Sequence, residues 1–159
     1  MARECQPCTA CCEGWLRIEK DDARATLGSP CAHCDSSGCR IYERRPVDPC
    51  HTFVCAWRAS NSALAEWMRP DQCKAIVLLD RLRWRGQPAT VAVAVGATIP
   101  QRTLDWLKQH AQQNSRPLLW EEYEQVNGVF TGRKRVATHG PVEFAREMLE
   151  RHGRGERLW

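Results

Sequence analysis

The sequence predicts an α+β protein in two parts, a cysteine-rich region over residues 1–58 and a lobe over residues 59–159. Nine of the ten cysteines lie within the first 55 residues, and only Cys73 lies beyond them. The same stretch is poor in Leu, Ile and Val, whereas the later part alternates apolar and polar residues regularly. Because the chain has 159 residues, we expect the two parts to form one compact unit.

The strands and helices of the lobe are predicted in the order ββαββα. Residues 81–85 alternate strictly, and the valines of residues 90–95 fall on one face, which is typical of a hairpin turning at residues 86–88. Pro100 and Pro141 suit the first turn of a helix. The expected elements are strands over 75–85 and 90–95, a helix over 100–113, strands over 118–124 and 129–137, and a helix over 141–153.

Two further short helices are expected. One lies near residues 18–27, within the cysteine-rich region. The other covers residues 61–68, with Ser60 as its N-cap and Pro70 ending it.

The composition indicates a globular chain and argues against a membrane or secreted protein. The mean hydropathy is -0.53, and no apolar run approaches the ~20 residues that a membrane-spanning helix needs. The first residues lack the apolar segment of a secretion signal, so we expect a cytoplasmic protein. Since the cytoplasm keeps thiols reduced, ten cysteines favour metal binding over disulfides.

The cysteines occur in three groups. A Cys-x2-Cys spacing lets two sulfurs reach one tetrahedral ion, at ~2.3 Å for zinc. Adjacent cysteines point in different directions, so Cys11 and Cys12 can serve two metal centres or bridge them. The groups are Cys5, Cys8, Cys11 and Cys12; then Cys31, Cys34 and Cys39; then Cys50 and Cys55.

A longer pattern connects these groups. After Cys-x2-Cys-x2-Cys-Cys at residues 5–12 and Cys31 comes Gly38-Cys39-x-Ile41-Tyr42-x2-Arg45-Pro46-x3-Cys50-x2-Phe53-x-Cys55-x-Trp57. This pattern resembles the YkgJ-type zinc- or iron-chelating CxxCxxCC domain family, over residues 5 to about 80. The resemblance implies eight metal ligands, Cys5, Cys8, Cys11, Cys12, Cys31, Cys39, Cys50 and Cys55. Cys34 lies outside the family pattern, and as a ninth ligand it would allow three metal ions.

The expected cofactor is Zn²⁺, as two or three ions. The alternative is a 4Fe–4S cluster, because Cys5, Cys8 and Cys11 reproduce the first three ligands of the bacterial ferredoxin run. Tyr42 is expected to pack over the site and Arg45 to offset thiolate charge. His33 and His51 flank ligand cysteines, and for both we expect a supporting or solvent-facing position.

The sequence leaves three functions open and does not decide whether the chain is an enzyme. The favoured one is a metal-binding module, with an unidentified protein as a further partner. The second is an iron–sulfur-dependent enzyme of protein or RNA modification, or its accessory. The third is a nucleic-acid-binding protein whose basic patch combines Arg81, Arg83 and Arg85 with residues 133–135 on a neighbouring strand. The simpler interpretation is that those arginines form the solvent-exposed polar face of a half-buried strand.

Overall fold

Short hairpins and helical turns build the first half of the chain. The protein is described here by a computed structural model covering residues 2–159. β1 (Ile18–Lys20) pairs antiparallel with β2 (Ala23–Ala25), and β3 (Cys34–Asp35) pairs antiparallel with β4 (Gly38–Cys39). Helical turns follow at Tyr42–Arg44, Val47–His51 and Glu66–Met68, and a four-residue helix α1 covers Pro70–Cys73.

Both additional helices expected from the sequence are wrong. Residues 18–25 form the β1–β2 hairpin, in which Ala23 and Ala25 are buried and Arg24 is exposed, a period of two instead of a helical period. In residues 61–68 only the last three are helical. Asn61 has a φ of 58° in the left-handed region, which interrupts a right-handed helix, and Pro70 begins α1 instead of ending the preceding helix.

Residues 75–153 have the predicted order ββαββα. The elements are β5 (Ala75–Trp84), β6 (Gln87–Ala94), α2 (Gln101–Gln113), β7 (Leu118–Val126), β8 (Val129–His139) and α3 (Val142–Gly153). The four strands form one sheet in sequence order. β5 and β6 are antiparallel, as are β7 and β8, whereas β6 and β7 are parallel because α2 crosses between them. The α+β class is therefore confirmed.

One apolar core joins the two parts of the chain. Leu107 of α2 and Phe144 of α3 are fully buried in it, and Leu16 and Ala56 of the cysteine-rich part belong to the same cluster. The Ala56 N–H donates to the Val77 carbonyl of β5 at 2.8 Å. The cysteine-rich part therefore contributes few apolar side chains to the core, but it is hydrogen-bonded to the sheet.

Trp15 fastens the cysteine-rich part to the other half of the sheet. The Tyr123 hydroxyl of β7 donates to the Trp15 carbonyl. The indole packs on Tyr123 and on Phe130 of β8, with ring centroids 5.6 and 5.7 Å away. Among the helices of residues 2–159, none has the length and apolar character needed to cross a bilayer.

Two buried threonines of this core should respond in opposite ways to replacement by valine. The Thr90 hydroxyl is fully buried without a hydrogen-bond partner, so Thr90→Val should raise the free energy of unfolding by about 1 kcal/mol. The Thr103 hydroxyl donates to the Cys73 carbonyl at 2.7 Å, so Thr103→Val should lower it by about 1–3 kcal/mol. Denaturant titration measures both changes, and equal destabilisation by the two variants would contradict this assignment.

Candidate metal centre

Seven of the ten cysteines line one cavity of about 590 Å³. They come from segments that are distant in sequence: the loop of residues 5–12, the end of β4, the turn Val47–His51 and the residues that follow it. All seven side chains are partly or fully buried. The lining cysteines are Cys5, Cys8, Cys11, Cys12, Cys39, Cys50 and Cys55.

The backbone of residues 5–14 is held by short-range and cross-chain hydrogen bonds. The Cys8 N–H donates to the Cys5 carbonyl at 2.7 Å, which forms the turn of the first Cys-x2-Cys pair. The Cys31 N–H donates to the Cys12 carbonyl at 2.8 Å and brings the second group of cysteines beside the first. Gly14 has a φ of +95°, and a Cβ there would lie 2.0 Å from the Thr26 carbonyl oxygen. Only glycine fits this close approach.

Cys5, Cys8, Cys11 and Cys55 form what we call the first thiol group. Burial raises the pKa of Cys11 well above its usual value, and the neighbouring sulfurs of Cys55, Cys8 and Cys5 add to the increase. Burial also raises the pKa of Cys8 to about 11. Cys8 and Cys11 are therefore protonated at neutral pH unless a cation binds them.

Cys12, Cys31, Cys34, Cys39 and Cys50 form the second thiol group. Burial raises the pKa of Cys12 to about 12, with further contributions from the other four members. Burial and the nearby Cys31 and Cys39 likewise raise the pKa of Cys50. We assign the adjacent Cys11 and Cys12 to different groups, although Cys12 also contributes to the raised pKa of Cys11. Cys31 and Cys34 belong to this group without lining the cavity.

The thiols are neighbours but do not form a coordination sphere. Within residues 2–159, no three His, Cys, Asp or Glu side chains stand close enough together to hold a metal ion. The donor chemistry suits zinc or iron, since thiolate sulfur is a preferred ligand of both. Binding an ion would require the sulfurs of a group to move toward one another.

Tyr42 and Arg45 lie on the cavity wall, as expected. The Cys5 N–H donates to the Tyr42 hydroxyl at 3.2 Å, and that hydroxyl donates to the Glu4 carboxylate. The Arg45 guanidinium stacks 3.7 Å from the Tyr42 ring centroid, and its buried Nε has no hydrogen-bond partner. Its charge counteracts the effect of burial on the pKa of Cys50.

Arg58 is a cavity residue that the sequence analysis missed. Its side chain is half-buried, and its Nη1 has no hydrogen-bond partner. Burial raises the pKa of Cys55, and the Arg58 charge opposes that increase. A turn places Arg58 near Cys55, because its N–H donates to the Cys55 carbonyl at 3.1 Å. The sequence offered no distinctive signal for it, because one arginine three residues after a cysteine is not a recognisable motif.

The remaining candidates lie outside the cavity. Neither His33 nor His51 is among its lining residues. Cys73 is buried, and its thiol donates to the Met68 and Ala75 carbonyls at 3.2 and 3.3 Å. Its environment is that of a structural cysteine within the core.

The arginine-rich strands do not form the single basic patch on which the nucleic-acid alternative depends. β5 and β8 are the two outer strands of the sheet, so Arg81, Arg83 and Arg85 do not adjoin residues 133–135. Two of the three cationic residues at 133–135 are paired with acidic residues, Lys134 with Glu121 at 2.8 Å and Arg135 with Glu122 at 3.5 Å. The local alternation predicted the strands correctly but could not give their order in the sheet.

Comparison with known proteins gave no match to a family model, to a curated protein or to a solved structure. The resemblance to the YkgJ-type family therefore stays a prediction. The geometry of the cavity is the basis for the function proposed next.

Proposed function

We propose that this protein binds metal ions, zinc or alternatively iron, through its clustered cysteine thiolates. The observation that carries the proposal is the shared cavity wall, on which seven cysteines from separate segments of the chain meet. Cysteines that served only as small apolar residues would have no reason to gather around one cavity. All ten thiols are unbridged, and a reducing compartment such as the cytoplasm would keep them available for metal.

The charges around the cavity support the same conclusion. A buried guanidinium N–H without a partner costs free energy, and both Arg45 and Arg58 have one. Thiolates created by metal binding would supply the missing acceptors and negative charge. A divalent ion with four thiolates carries a net charge of about -2. One arginine beside each thiol group, Arg58 at Cys55 and Arg45 at Cys50, would offset part of that charge.

The division into two thiol groups favours at least two ions. The first thiol group has the four sulfurs that a tetrahedral ion requires. The second thiol group has five, so Cys34 would be the additional ligand if a third ion shared sulfurs between the groups. A 4Fe–4S cluster also needs four thiolates, and either group could provide them.

Metal binding would also stabilise the fold. The first half of the chain contributes few large apolar side chains to the core, and its thiols must approach one another to hold an ion. In such sites the free energy of metal binding is also free energy of folding. We therefore assign the metal a structural role in the cysteine-rich region, residues 1–58.

Replacing a ligand cysteine should separate metal-binding thiols from structural ones. Cys8→Ser and Cys39→Ser should each lose at least one ion per chain and lower the melting temperature, because one group loses a ligand. Cys73→Ser is the matched control: a serine hydroxyl can donate to the same carbonyls, so metal content should be unchanged. Elemental analysis and native mass spectrometry of anaerobically purified protein measure the loss, and absorption near 400 nm would indicate a cluster instead of zinc.

Two results would contradict this proposal. One is a parent protein that retains no metal and in which the nine thiols other than that of Cys73 all react freely in the native state. The other is a Cys73→Ser variant that loses metal to the same extent as Cys8→Ser.

Metal binding should release protons. With pKa values of about 11 and 12, Cys8 and Cys12 are protonated at pH 7, and each must lose its proton to bind an ion. Adding zinc to the metal-free protein in weak buffer should release close to one proton per ligand cysteine. Because protons compete with the metal, the apparent affinity should fall as pH is lowered below 7. A pH indicator records the release, and zinc binding without it would exclude thiol ligands.

A further inference from the structure

The cavity is larger than its thiols alone require. Its volume of about 590 Å³ lies within the ~300–1,000 Å³ range of small-molecule sites, which combine apolar walls with a few polar groups. The remainder of the wall combines apolar side chains with polar and charged ones. The apolar side chains are Leu16, Ile18, Pro49, Phe53 and Trp159.

The carboxylates of this wall are already neutralised. Glu19 is paired with Arg17 at 2.7 Å, and Asp48 is paired with Lys20 at 3.0 Å. No other acidic side chain lines the cavity. The wall therefore has no carboxylate left to pair with a further cation.

Four arginines of the same wall form no ion pair within residues 2–159, and two of them are beside the thiols. Arg45 adjoins Cys50, and Arg58 adjoins Cys55, so both are used by the proposed metal centre. The other two are Arg81 and Arg157.

Arg81 and Arg157 are associated with the aromatic part of the wall. The Arg81 guanidinium lies 5.4 Å from the Phe53 ring centroid. Arg157 is oriented by its Nε, which donates to the Trp159 carbonyl at 2.7 Å. Arg81 thus adjoins an aromatic ring, and Arg157 is held by the main chain of another wall residue, Trp159.

We propose that the cavity binds a small amphipathic anion, a carboxylate or phosphate attached to an apolar body. The charges of Arg81 and Arg157 attract the anionic group, and Leu16, Phe53 and Trp159 contact the apolar body. This site uses residues other than the thiols, so it does not depend on the metal proposal.

The test uses 8-anilinonaphthalene-1-sulfonate, an aromatic sulfonate, as a fluorescent probe of the purified protein. We expect saturable binding of one probe per chain, weakened about fivefold or more in the double variant R81Q/R157Q, which loses two partly screened attractions. The control R83Q/R133Q removes two charges from exposed residues that do not line the cavity, so it should bind as the parent does. Circular dichroism confirms that the variants fold.

Competition identifies the anionic group. Displacement of the probe by decanoate assigns a carboxylate, and displacement by phenyl phosphate assigns a phosphate monoester. Displacement by neither, absence of saturable binding, or equal weakening in both double variants would overturn the proposal. Metal content measured on the same samples separates the two proposals, because a metal-free protein that still binds the probe through Arg81 and Arg157 contradicts only the metal centre.

Discussion

The protonation state of buried thiols determines how the first half of this molecule can be stable. A neutral thiol is accommodated in a protein interior as a small apolar group, whereas a buried thiolate requires a nearby positive charge. The fold places Cys11 and Cys12 where burial and neighbouring sulfurs both oppose ionisation. It also places Arg45 beside Cys50 and Arg58 beside Cys55, each with a buried N–H group that lacks an acceptor. Binding of a metal ion would account for both observations. The bound thiols would lose their protons, and the resulting thiolates would accept from the arginine N–H groups and balance their charge.

The position of these thiols depends on the sheet behind them. The hydrogen bond from Ala56 to β5 and the packing of Trp15 on Tyr123 and Phe130 attach the cysteine-rich region to both halves of the sheet. The loop of residues 5–14 is held in turn by Gly14 and by the bond between Cys31 and Cys12. The cavity is therefore bounded by the sheet framework on one side and by the cysteine-bearing loops on the other. The amphipathic anion proposed above would occupy the space between them.

Local patterns predicted the elements whose residues obey one clear period. The strict alternation over residues 81–85 and the helix beginning after Pro100 are both present, although β6 starts earlier, at Gln87, because Arg85 and Gly86 adopt positive φ and form the turn. The pattern failed at residues 18–27, where the strands are only three residues long. It also failed at residues 61–68, where Asn61 is left-handed. Strand order is a tertiary property, so periodicity could not show whether the two arginine-rich strands are neighbours in the sheet.

Cysteine spacing gave more of the candidate site than any other signal. All seven thiols that share the cavity are among the nine that it selected, whereas Cys31 and Cys34 do not line the cavity. It could not show that Arg58 faces the same space, because a single arginine after a cysteine has no distinctive spacing. Nor could it reveal Arg81 and Arg157, which reach the cavity from β5 and from the segment after α3.

X-ray absorption spectroscopy at the metal K-edge of anaerobically purified protein tests the central claim most directly, since it identifies the atoms bound to the metal. Our account predicts a shell of sulfur ligands, four per zinc at ~2.3 Å, or a sulfur shell with short iron–iron scattering if a cluster is present. A shell of oxygen and nitrogen ligands without sulfur would contradict it.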